Sequence, residues 1–143
     1  MAFIKKRGKS KFMWLPVTVS TTFTKNSLVA WNVGYLIEAT NTAAGKLMAG
    51  VIRHAITATD TDYATARLVE VEVPVEKYVE WEADFTASLV VADRGLYCDL
   101  TNNYTVTRAT STYDIVQVTR FISTTKGDVI LNIGAESLGV QAD

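Results

Sequence analysis

A chain of 143 residues is one domain long and predicts a single core, since a domain of that size buries roughly 70% of the surface its unfolded chain exposes. With 48% hydrophobic and 20% charged residues and a formal net charge of −1, the composition excludes the disordered and collagen-like classes. One cysteine and one histidine exclude a disulfide framework and any zinc site built from those two ligand types.

The near-neutral total conceals an asymmetry. Residues 1–13 hold Lys5, Lys6, Arg7, Lys9 and Lys11 and no acid, so the other 130 residues carry 9 basic against 15 acidic groups, a balance of −6. Like charges at that density repel one another, which predicts a basic extended arm over residues 1–13 that does not pack locally. The apolar groups Phe3, Ile4, Phe12, Met13 and Trp14 set among them point to a partner surface, because a purely solvating tail has little use for large apolar side chains. No apolar stretch of about seven or more residues follows Lys5–Arg7, and no run of about 18 occurs anywhere, so neither a secretion signal nor a membrane span is expected.

From residue 14 to 133 the sequence reads as a β domain. Thr, Val and Ile make up 44 of the 143 residues, and such side chains fit a pleated surface while losing rotamer freedom in a helix. A first strand covers 14–19, with Pro16 suited to an edge because it lacks an amide donor. Leu28–Trp31 and Tyr35–Ile37 flank Asn32-Val33-Gly34 as a tight hairpin. A polar loop over 40–45 leads to a strand at 48–56, whose Gly50 predicts a bulge or a close approach of backbone. Thr57–Thr65, with four Thr and two Asp, is an exposed loop.

The clearest periodicity is Arg67–Val73, where Val69, Val71 and Val73 face one way and Glu70 and Glu72 the other, as in a sheet with one buried and one wet face. Tyr78–Glu82 repeats that rhythm after Pro74 and is a candidate to pair with it. Thr86–Arg94 is the one short helix expected, capped by Thr86 and stopped by Gly95. Leu96–Leu100 and Tyr104–Thr107 form a hairpin around Asn102-Asn103, and Tyr113–Ile122 and Asp128–Ile133 form another around Lys126-Gly127. Residues 134–143 lack periodicity and read as a tail. The sum is an all-β single-domain module, a small β-barrel, tulip-like or sandwich fold with one short helix.

Candidate chemistry is sparse. His54 as a general base needs a nucleophile and an orienting group, and Cys98 as a thiolate needs a helix N-terminus or a cation nearby. Glu70, Glu72, Glu80 and Glu82 could bring two carboxylates onto one face, as glycosidases require; with no aromatic groove or acid of distinct environment visible beside them, alternating solvent-facing acids are the preferred reading. Asp60 and Asp62 offer oxygen ligands to a hard cation. Neither GxxxxGK nor GxGxxG occurs, which disfavours nucleotide-dependent enzymes, and no cofactor is expected. The basic arm would attract a nucleic-acid backbone that the −6 body repels, so a β-barrel nucleic-acid-binding module using that arm is the alternative to a protein-binding role.

The stretch Lys25-Asn-Ser-Leu-Val-Ala-Trp-Asn-Val-Gly-Tyr-Leu-Ile-Glu-Ala39, followed by Gly50-Val51-Ile52, resembles the start of the head decoration proteins of tailed bacteriophages, also called capsid cement or auxiliary capsid proteins. Glu82–Leu100 is similar as well, with a short helical turn ending at a glycine before a strand. The resemblance covers roughly residues 17–133 and leaves the arm outside it. It implies a non-enzymatic virion protein, made in the bacterial host cytoplasm, that binds the outer capsid surface, often as a trimer, and stabilises junctions between major capsid subunits. On that expectation Phe3, Ile4, Lys5, Lys6, Arg7, Lys9, Lys11, Phe12 and Trp14 form a capsid-binding arm.

Overall fold

The computed structural model describes residues 3–39, 48–76, 78–86, 88–102, 105–108 and 115–131. The expected loop at 40–45, the Asn103-Tyr104 part of one hairpin, the start of the strand at Tyr113 and the tail at 134–143 lie outside them.

The described chain is all-β. Its strands are β1 (Ile4–Arg7), β2 (Ser10–Pro16), β3 (Leu28–Asn32), β4 (Tyr35–Glu38), β5 (Met48–Ile52), β6 (Leu68–Pro74), β7 (Glu80–Phe85), β8 (Tyr97–Asn102), β9 (Thr105–Thr107), β10 (Val116–Ser123) and β11 (Lys126–Leu131). The first sheet runs β1-β7-β11-β10-β8-β9, and a parallel pairing of β7 with β9 closes β7, β11, β10, β8 and β9 into a small barrel. The second runs β2-β6-β5-β3-β4. Its two ends meet where Val17 bridges Leu36 and the Thr18 amide donates to the Leu36 carbonyl at 3.0 Å.

Two hydrophobic clusters fill this frame, where the length predicted one core. Trp81, Ala83, Phe85, Leu100, Val106, Val116, Val118, Val129 and Leu131 form the first with Leu28, Ala30, Met48 and Val51 from the second sheet. Val29, Leu36, Ala49, Ile52, Val69, Val71 and Val73 form the other with Val17 and Phe23. Strands β3 and β5 thus bury both faces, one in each cluster, which is why Leu28-Val29-Ala30 and Met48–Ile52 are continuously apolar instead of alternating. A layer shared in this way lets a short chain fill two cores.

The basic arm is part of the fold. Strand β1 pairs with β7, through Ile4 opposite Glu82 and Lys5 opposite Trp81, and β2 pairs with β6 over its whole length, from Ser10 opposite Pro74 to Pro16 opposite Leu68. Phe3 is 0% exposed, its amide donating to the Asn26 carbonyl at 2.9 Å. Self-repulsion predicted otherwise because it ignores the acids that distant strands bring alongside: Lys5 lies 3.8 Å from Glu72, Lys6 3.3 Å from Glu82, and Arg7 pairs with Glu80 and, at 3.0 Å, with Asp128.

Other expectations hold or shift locally. The hairpin of β3 and β4 turns at Val33 (φ +54) and Gly34 (φ +85), the two consecutive left-handed positions of a tight hairpin turn. Val33 is 88% exposed and β-branched, so it packs little and bears the strain. Val33→Asn is expected to raise stability by about 1 kcal/mol, read as a higher midpoint in thermal or urea unfolding. Gly50 marks a close approach, since a Cβ there would sit 2.3 Å from the Glu72 carbonyl oxygen.

The stretches 67–73 and 78–82 do not pair with each other; β6 joins the second sheet and β7 the first. The expected helix over 86–94 reduces to one 3-10 turn at Val91–Asp93, because Ser88 adopts φ +65 and Leu89 is drawn fully into the core. Gly95 does take the left-handed conformation expected of it, at φ +91.

Candidate interaction surface

Strand β2 leaves two large aromatic side chains uncovered. Its Met13 and Leu15 pack against the second cluster beside Val71 and Val69, while Phe12, Trp14 and Pro16 alternate onto the outer face opposite Glu72, Glu70 and Leu68. Phe12 is 57% exposed, Trp14 65% and Leu68 57%. Leu68 is out of phase with Val69, Val71 and Val73, and that single departure from the alternation is the sequence signal for it.

One edge of β2 is bound to β6; the other has no strand along Ser10–Pro16 among the described residues. Lys9 and Lys11 are exposed beside it, and neither forms an ion pair with a described residue. Trp14 and Leu68 also border a cavity of about 260 Å³ that His54, Asp62, Arg67 and Val69 complete.

The arm expected to bind a partner therefore divides. Phe3 anchors the core, and Lys5, Lys6 and Arg7 are engaged by acids of the body. Phe12, Trp14, Lys9 and Lys11 remain available, with Ile4 47% exposed on β1.

The other candidates are dispersed. His54 is exposed on the segment after β5, whereas Cys98 is fully buried on β8 in the first barrel. The four glutamates split between sheets, and Glu72, Glu80 and Glu82 are each met by cations instead of by the other strand's pair. Glu72, only 4% exposed and so not the solvent-facing acid expected, accepts from Arg53 and from Ser10 Oγ at 2.6 Å. Glu80 accepts from Arg7 and from Thr119 Oγ1 at 2.6 Å. Asp60 accepts from the Thr57 amide and hydroxyl, and Asp62 pairs with Arg67. Among the described residues no group of three or more His, Cys, Asp or Glu stands close enough to hold a metal ion.

These pairings make stability pH-dependent. Hydrogen bonds from Arg7 and then Thr119 hold the Glu80 carboxyl below its ordinary range, and a two-point hydrogen bond from Arg108, at 2.7 and 2.9 Å, followed by the Val90 amide, does the same for Asp93. A carboxyl depressed on folding stabilises the native state above its unfolded pKa and loses that contribution as pH falls through the folded value. The midpoint of thermal unfolding should therefore be level near neutrality and fall once pH drops below about 4, the unperturbed Asp and Glu range. Melts recorded across that interval check it.

No family model, curated protein or solved structure matches this chain.

Proposed function

We propose that this chain is a non-enzymatic head decoration protein that binds the outer surface of an assembled phage capsid and braces junctions between major capsid subunits, as a homo-trimer in the virion. Two things support the reading: the resemblance carried by residues 25–39, 50–52 and 82–100, and the outer face of β2. The observation that carries it is the pair of solvent-exposed aromatics, Phe12 and Trp14, on a strand whose second edge has no paired strand along Ser10–Pro16 among the described residues.

An edge of that kind takes an additional strand from a partner through main-chain hydrogen bonds, with the aromatics as anchors and Lys9 and Lys11 drawing in an acidic capsid surface. Because β2 is already ordered by β6, docking costs less conformational entropy than a free arm would. A partner that recognises only the assembled shell stabilises it by mass action, and weak contacts repeated over the lattice accumulate without any catalytic group.

The competing nucleic-acid role would rest on Lys9 and Lys11, since Lys5, Lys6 and Arg7 are engaged by carboxylates. A sedimentation assay with purified, expanded heads distinguishes the two. Phe12→Ser together with Trp14→Ser should leave the unfolding free energy within about 0.5 kcal/mol per site of the parent, as exposed sites do, while abolishing retention on heads. Retention unchanged by the pair, or a stronger and steeply salt-dependent affinity for DNA than for heads, contradicts the reading.

A further inference from the structure

Across the outer face of the first barrel, Glu82 on β7, Asp128 on β11 and Arg120 on β10 are successive cross-strand neighbours. With Lys6, Phe121 and Ile122 they line a cavity of about 370 Å³, separate from β2 and its aromatics. That volume lies within the small-ligand range, roughly 300–1,000 Å³.

Asp128 makes this more than a gap between side chains. It is 0% exposed, its Oδ2 accepts from Arg7 Nη2 at 3.0 Å, and its Oδ1 has no hydrogen-bond partner among the described residues. A buried carboxylate oxygen without a donor is costly and uncommon, and it calls for one. Arg120, exposed on the neighbouring strand, reaches no carboxylate within ion-pair distance among the described residues, so its guanidinium has donors to spare. Glu82 is already held by Lys6 at 3.3 Å and Lys126 at 3.6 Å.

The charges select the ligand. A cation entering the cavity meets Lys6 and Arg120 with Arg7 close behind; an anion meets Glu82 and Asp128. A neutral molecule with adjacent hydroxyls meets neither penalty: one O–H donates to Asp128 Oδ1, a neighbouring oxygen accepts from Arg120, and its C–H face lies against Phe121 and Ile122. We propose that this cavity binds a neutral saccharide, with Asp128 and Arg120 as its polar contacts and Lys6 as the movable wall that turns outward on binding. The site stands independently of any attachment to a capsid.

Saturation-transfer NMR on the full chain tests it with glucose, galactose, mannose, N-acetylglucosamine and their disaccharides, using spermidine and citrate as charged controls. At least one neutral sugar should show transfer and shift the resonances of Phe121 and Ile122. Its affinity should fall about tenfold or more in Arg120→Ala, an exposed substitution expected to leave the fold intact, through loss of hydrogen bonds to a charged donor. Asp128→Asn should weaken it likewise if thermal melting shows that variant folded. Transfer from none of the sugars, binding that Arg120→Ala leaves unchanged, or preference for spermidine or citrate each overturns the proposal.

Discussion

Deleting residues 1–7 should leave the chain unable to fold at room temperature, seen as loss of the β-sheet circular-dichroism signal and of any cooperative melt. The deletion removes Phe3, 0% exposed, and excising a buried Phe side chain alone costs about 3–5 kcal/mol. It also removes Arg7, itself half-exposed, from Asp128, so that the carboxylate loses the donor to its Oδ2. The β1–β7 ladder and the Lys5 and Lys6 pairs are lost as well. Together these losses are comparable with the whole stability of a domain, about 5–15 kcal/mol. A truncated chain that melted cooperatively near the parent's midpoint would mean that the basic segment is a dispensable tether. Phe3→Ala alone should still fold, with a lower midpoint, and so separates the core anchor from the charge pairs.

The second large effect concerns the other cluster. Val71 is 0% exposed, opposite Met13 on β2 and Ile52 on β5. Val71→Asp loses roughly 1.5–3 kcal/mol of apolar burial and places a carboxylate among apolar neighbours with no donor to meet it, which costs several kcal/mol more. The variant should be unfolded or should melt far below the parent, whereas Glu70→Thr, one residue away on the outer face, should change stability by no more than about 0.5 kcal/mol. Equal midpoints for Val71→Asp and the parent would mean that the buried face of β6 has been assigned the wrong way round.

Local signals were the legible part of this fold. The alternation of Val69, Val71 and Val73, the left-handed turn at Val33-Gly34 and the β8–β9 hairpin all follow from neighbours in sequence. What depended on distant residues did not. Lys126-Gly127 reads as a turn, yet the chain reverses at Thr124-Thr125, and Gly127 lies inside β11 where a Cβ would come within 2.7 Å of Leu89 Cδ2. Glycine serves turns and close approaches alike, and only tertiary contacts separate the two. Local self-repulsion fails to predict the basic segment for the same reason, since the acids that neutralise it lie more than sixty positions further along the chain. In the candidate surface, the exposed aromatics of β2 were legible as apolar groups beside cations; the outward Leu68, the buried Asp128 and the free side of Arg120 became visible only through strand register.

The most direct test of the proposed attachment to a capsid through β2 is amide hydrogen exchange, measured for the chain alone and in the presence of purified, expanded phage heads. Added protection should concentrate in the Ser10–Pro16 peptide, where a new strand would pair. Binding that protects other segments while Ser10–Pro16 exchanges as fast as in the free chain, or a chain that heads fail to retain at low ionic strength, would contradict it.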